Sequence, residues 1–135
     1  MVEYGLTYAS DDNKFSFGYI YCAFKYKNKL YVSDACNHRV VIINTDDKSC
    51  RYIYHKDWFP RWIQPIGDNI FAFVDSKKKK IGIVNTEVIV FDIEVFMEEP
   101  RFITKTNKET YLVGGRGKIP LIEYDSNFNI IGNYL

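Results

Sequence analysis

Apolar residues recur along this chain in short bursts of period two, each closed by a small cluster of turn-forming residues. The clearest run is 89–96, where Phe91, Ile93 and Val95 alternate with Asp92 and Glu94. That alternation is the pattern of a half-buried strand. Bursts of the same kind predict strands at 20–25, 29–34, 39–45 and 50–55, then 62–66, 69–75, 80–85 and 89–96, then 102–106, 110–114, 119–125 and 129–134. Pro120 lies inside the eleventh of these and must sit where the ladder needs no donor.

The strands fall into groups of four that repeat. "PRWIQPIGDNIFAFVDSKKKKIGIVNT" begins at Pro60, and "PRFITKTNKETYLVGGRGKIPLIEYD" begins 40 residues later at Pro100. A degenerate copy, "YCAFKYKNKLYVSDACNHRVVIINTD", begins at Tyr21. Leu30, Ile70 and Thr110 are 40 residues apart, and each precedes an aromatic residue, Tyr31, Phe71 and Tyr111. The repeats run over 19–57, 58–98 and 99–135, and the leading hairpin at 1–18 reads as the last two strands of an incomplete preceding unit. Four-stranded antiparallel units with this period predict a single all-β domain, a partial β-propeller of about three blades. A β-sandwich or irregular barrel is the competing arrangement.

Composition agrees with the pattern. Ile (16), Val (10), Tyr (11) and Phe (10) far outnumber Ala and Leu together (9), a bias toward pleated, half-buried surfaces. A separate bias toward Lys, Asn, Ile and Tyr matches AT-rich coding, as in many viruses and some microbes. Eighteen Lys plus Arg against seventeen Asp plus Glu leave a formal charge of +1, which favours neither nucleic acid nor an anionic membrane. The start "MVEYGLTYASDD" lacks a positive stretch followed by an apolar run, and no apolar run approaches membrane-spanning length, so an unsecreted, cytoplasmic protein is expected. Cys22, Cys36 and Cys50 are an odd, widely spaced set that suits reduced thiols. Cys36, His38 and Cys50 lack the spacing of a metal site, so no metal or cofactor is expected.

Three units leave two open sides lined by Val, Ile, Phe and Tyr, which soluble monomers rarely expose. Closed self-association is the expected remedy, a dimer first, with two copies of three blades forming a six-bladed ring. A four-bladed ring that uses the leading hairpin, or capture of the open side by another protein, would also serve.

The stretch "VSDACNHRVVIIN", through Val32, Asp34, Asn37, Arg39, Val40 and Asn44, resembles the NHL repeat. The second unit keeps Val74 and Asp75 but has lysines in place of Asn-x-Arg, and the third has Gly115 in place of the acid. The resemblance implies that the turn between second and third strands shares a face with the loop entering the first. Residues 34–39, 76–80 and 114–118 would then lie beside Trp58, Arg61, Trp62, Arg101 and Phe102. The candidate binding residues on that face are Arg61, Trp62, Lys77, Lys78, Lys79, Lys80, Arg101, Phe102, Arg116 and Lys118. Asp34, Asn37, Arg39 and Asp75 read as turn scaffold, with Asp34 accepting turn amides and Arg39 pairing between blades. His38 reads as an exposed turn residue, and the ordinary reading of "SKKKK", ahead of a ligand contact, is a solvated hairpin tip that discourages edge pairing. Either Trp could fill a gap between blades or stack on a ligand.

Cations among aromatic rings suit single-stranded RNA, and the NHL resemblance implies that such a face binds RNA in some members and protein in others. The expected function is a non-catalytic protein-binding scaffold, with RNA binding on the same face as the alternative. A lectin-like sugar binder, or an enzyme whose site forms at the centre of an assembled ring around Asp34, Asp75 and His38, completes the alternatives. No G-x-S-x-G or H-E-x-x-H motif is present, and "GGRGK" lacks Walker spacing.

Overall fold

The computed structural model describes residues 6–8, 17–85 and 89–134. Three antiparallel sheets follow one another along the chain. The first contains β1 (Leu6–Tyr8), β2 (Ala23–Tyr26), β3 (Lys29–Asp34), β4 (Arg39–Asn44) and β5 (Cys50–Tyr54), in the spatial order β1-β5-β4-β3-β2. The second is β6 (Pro60–Gly67), β7 (Ile70–Asp75), β8 (Lys80–Asn85) and β9 (Ile89–Glu94), a simple meander. The third repeats it with β10 (Glu99–Lys105), β11 (Tyr111–Arg116), β12 (Leu121–Tyr124) and β13 (Ile130–Tyr134).

The segment Leu6–Tyr8 does not begin a preceding sheet. It pairs with β5, Leu6 opposite Ile53, and widens the first sheet by a fifth strand. The remainder of the expected leading hairpin lies outside the described residues, apart from Phe17 and Gly18. Pro120 precedes β12, and its carbonyl accepts the N–H of Gly115 at 3.0 Å, so its missing donor is not needed.

Alternation along β7 fixes how the sheets stack. Phe71 and Phe73 face the first sheet and join Tyr31, Val40, Ile42, Ile53, Trp58 and Ile63, while Ala72 and Val74 face the third and join Ile103, Tyr111, Val113, Ile122 and Tyr124. Each layer is a seam of buried Ile, Val and aromatic side chains, and every one fully buried contributes about 1.5–3 kcal/mol of hydrophobic stabilisation. The first strands lie side by side, β6 packing on β2 and β3 to one side and on β10 to the other. Single hydrogen bonds tie them: Ile63 donates its N–H to Cys22 Sγ at 3.3 Å, and Lys105 donates its N–H to Gln64 Oε1 at 3.0 Å.

The repeat is 41 residues between the first two sheets and 40 between the last two. Asp34 pairs with Arg39 as Asp75 pairs with Lys80, and Lys29 with Asn44 as Ile70 with Asn85. Pro60 pairs with Asp75 as Pro100 does with Gly115. The aligned aromatics Tyr31 and Phe71 are therefore not equivalent. A one-residue slip reverses the face of a strand side chain, so Tyr31 points forward and Phe71 backward, and their rings meet at 5.3 Å between the sheets.

Candidate functional site: the loop edge of the three sheets

The connections β3–β4, β5–β6, β7–β8 and β9–β10 gather at one edge of the stack. Their contacts show it directly. His38 Nδ1 lies 2.7 Å from the Trp58 carbonyl, Asp75 Oδ2 accepts the N–H of Phe59 at 3.0 Å, and Val95 donates its N–H to the Lys79 carbonyl at 2.8 Å.

Two carboxylates anchor this edge from below the surface. Asp34 accepts the Gly18 N–H at 2.9 Å, the Asn37 side-chain amide at 3.0 Å and Arg39 Nε at 2.7 Å. That ion pair lies within one hairpin, where the sequence suggested a contact between blades. Arg39 also sits over the Tyr52 ring, 5.0 Å from its centroid. Asp75 takes the Phe59 N–H on one oxygen and the N–H groups of Lys77 and Lys78 on the other, at 3.1 and 2.9 Å. Burial pushes the Asp75 pKa up, against the pull of these donors and of the Lys78 charge. His38 is half-buried in left-handed backbone, φ 59°, and tied to Trp58, not an exposed turn residue. Beside Asp75 a recess of about 60 Å³ meets His55, Asp57 and Asp92. That holds about two waters.

The candidate cations are exposed to different degrees, and four of the eight, Arg61, Lys77, Arg101 and Arg116, are engaged with groups of their own chain. Arg61 is half-buried and stacks its guanidinium 4.8 Å from the Tyr21 ring centroid. Lys77 Nζ sits 4.3 Å above the Phe59 ring. Lys78, Lys79 and Lys80 are exposed at the β7–β8 turn, with Lys79 in left-handed backbone. Arg101 and Arg116 converge on one carboxylate, Glu99 Oε2, at 3.2 and 3.1 Å, and both guanidiniums hold the Glu99 pKa down. Glu99 was missing from the sequence reading because it belongs to neither the repeated Pro-Arg-aromatic start nor the charged turn.

The candidate rings divide. Trp58 is buried, 4.7 Å from Phe73, and Trp62 is half-buried, packing on both seams with its edge toward Phe24 at 5.8 Å. Both fill gaps between sheets. Phe102 covers Gly114 on the outer side of the third sheet, where a Cβ at 114 would stand 2.2 Å from its ring. The most exposed ring at this edge is Phe96, 68% accessible.

Phe96 marks a cleft between the second and third sheets. It has a volume of about 380 Å³, an apolar floor of Val95, Met97 and Ile119, and a rim where Lys79 and Lys118 face Glu94 and Glu98. Lys118, which sequence reasoning placed on this face, is thus part of a formed depression, and Phe96 is the residue it overlooked. As an outward-facing residue ending an alternating strand, Phe96 carried a signal: the alternation of 89–96 leaves it on the polar side.

No family model matches the sequence, and no curated protein matches it. Solved structures match the fold. A candidate exported protein from Bacteroides fragilis covers 98% of this chain at 14% identity and TM-score 0.70, the match occupying 42% of that protein. A catalytically inactive virginiamycin B lyase from Staphylococcus aureus, solved with quinupristin, covers 83% at 13% identity and TM-score 0.71, and hydrazine synthase from Kuenenia stuttgartiensis covers 93% at 12% and 0.68. The chain spans about two fifths of the length of these proteins, 40% and 39% of the latter two. No helix among the described residues is long and apolar enough to cross a membrane. With three consecutive antiparallel sheets of five, four and four strands stacked face to face, the chain has the fold of a partial β-propeller.

Proposed function

We propose that this chain is a non-catalytic, NHL-like binding module of the cytoplasm that docks a protein partner on its loop edge. The observation that carries the reading is the cleft beneath Phe96, an apolar floor with a rim of both charge signs and a ring standing in solvent. Exposed aromatics beside an apolar depression are the usual anchors of protein interfaces. RNA is the second reading, favoured by the exposed run Lys77 to Lys80. Against it, both tryptophans are taken up in packing, which leaves fewer platforms for bases.

A peptide-display selection on the whole chain, repeated on Phe96→Ala, tests the first reading. Peptides lost on the variant support it. A selection that yields none, alongside oligonucleotide binding that weakens steeply with salt, moves the assignment to RNA.

The open side of the third sheet bears on assembly. Phe102 and Tyr134 are 36% and 47% exposed there, beside half-buried Leu112 and Leu121. A second copy supplying its own sheets would cover this face and continue the ring. Light scattering across a range of concentrations should give twice the chain mass, and a monomer at every concentration would end the dimer proposal.

A further inference from the structure

At the edge opposite the loops, the β2–β3 and β6–β7 hairpin tips enclose a second cleft, of about 270 Å³, between the first and second sheets. Its walls are Tyr26, Lys27, Asn28 and Lys29 from one tip, Asp68 and Asn69 from the other, and Tyr31. The volume has room for about a dozen non-hydrogen atoms, the small end of ligand clefts.

Two of its groups are not fully answered by the protein. Tyr31 is completely buried, yet its hydroxyl has no hydrogen-bond partner among the described residues. Such a group ordinarily costs stability, because it gives up water and gains nothing. Its ring is held against Phe71, and Tyr31 lines the cleft together with Asp68. Burial raises the phenol's pKa, so at neutral pH it is a donor. Lys29 reaches across the cleft to the neutral Asn69 Oδ1. Burial and the Arg51 charge pull its pKa below the usual ammonium value, with Asp68 opposing them. Lys27, by contrast, is matched, 2.7 Å from Asp68. The cleft therefore holds one surplus cation and one idle hydroxyl donor, with the amides of Asn28 and Asn69 at its mouth.

We propose that this cleft binds a small hydroxylated monocarboxylate of the hexuronate type. One carboxylate oxygen would pair with Lys29 and the other would accept from Tyr31, while the Asn28 and Asn69 amides and the Asp68 carboxylate meet ring hydroxyls. A dianionic phosphate fits less well, because Asp68 faces the same space and, among the lining residues, Lys29 alone is in surplus. A neutral sugar leaves the Lys29 charge unanswered.

The test is calorimetric titration of the whole chain with glucuronate and galacturonate, using glucose and inorganic phosphate as controls. A uronate should bind at least about tenfold more tightly than glucose or phosphate, the difference expected for one charge-assisted hydrogen-bonded contact. Tyr31→Phe should weaken that binding about tenfold. The same variant should keep or raise the thermal midpoint, since it deletes a polar atom that has no protein partner. Lys29→Gln should abolish the preference over glucose. Failure of both uronates at millimolar concentration, phosphate binding more tightly, or unchanged affinity in Tyr31→Phe would each overturn the proposal. Phe96→Ala, on the opposite edge, should leave uronate binding intact, so this site stands or falls apart from the loop-edge reading.

Discussion

Asp75 holds the amide of Phe59, sixteen residues earlier in the chain, at 3.0 Å. Asp34 holds the amide of Gly18 over the same sequence separation at 2.9 Å. In both units a carboxylate at the end of the second strand closes the loop that enters the blade, so the acid fastens one β-meander to the segment delivering it. In the third unit Gly115 stands in that place, and its backbone packs closely against the backbone of Glu99.

Removing the Asp75 carboxylate strands three N–H groups, so Asp75→Ala should cost about 2–4 kcal/mol. Asp75→Asn is informative in another way. The folded-state pKa of Asp75 is raised by burial above 3.8, so the folded protein binds this proton more tightly than the unfolded chain. The associated stability is fully present below about 3.8 and is lost as pH climbs through the raised value. Urea unfolding at a series of acidic to neutral pH values should therefore show the gap between wild type and Asp75→Asn narrowing as pH rises. A gap that widens over that range would contradict the burial argument.

Gly115 makes a sharper demand. A Cβ there would lie 2.0 Å from the Glu99 carbonyl oxygen and 2.9 Å from the Arg101 nitrogen, both backbone atoms that cannot step aside. At Gly67 the only neighbour of such a Cβ within 4 Å among the described residues is a methyl group of Ile70 at 3.4 Å. Gly115→Ala should destabilise by more than about 2 kcal/mol while Gly67→Ala stays within about 1 kcal/mol, read as thermal midpoints. Equal midpoints would remove close approach as the reason that the third unit lacks its acid.

The three thiols should separate by rate. Cys22 is buried, receives the Ile63 N–H, and burial pushes its pKa up to about 11, whereas Cys36 is exposed and Cys50 half-buried. At pH 8 only about one Cys22 in a thousand is thiolate, and that one is shielded. Iodoacetamide should label Cys36 first and Cys22 only on unfolding, and peptide mass mapping over time reports the order. Early modification of Cys22 would mean that the seam between the first two sheets opens.

Much of the fold was legible because paired middle strands obey simple alternation. The strands expected at 29–34 and 80–85 coincide with Lys29–Asp34 and Lys80–Asn85. First strands were harder. β6 and β10 begin before the expected 62 and 102, since a register shift after Pro60 and Pro100 lets each proline stay in the ladder and turns Arg61 and Arg101 aside. The face of a ring was harder still. Forty-residue spacing put Tyr31 in line with Phe71, but the extra residue in the first repeat reverses it, and only pairing partners reveal that. The charged edge was visible as composition, but not that Trp58 and Trp62 are spent in packing or that one glutamate answers two arginines. Those are contacts between segments far apart in sequence, and periodicity carries no trace of them.

That glutamate sets how basic the loop edge is. Glu99 Oε2 bonds both Arg101 and Arg116, and Arg116 is the more exposed of the two. While the carboxylate is present, an anionic polymer must compete with it for either guanidinium. Glu99→Gln removes the competitor and leaves both cations in place, with one more unit of net positive charge. Retention on heparin should then shift to higher salt, and Arg116→Gln in the same background should reverse most of the shift. Because the pair lies at the surface, folding stability should hardly change, which separates an electrostatic effect from a structural one. If Glu99→Gln elutes with the wild type, the two arginines are not available to an external anion, and the weight of any basic recognition moves to Lys77 through Lys80.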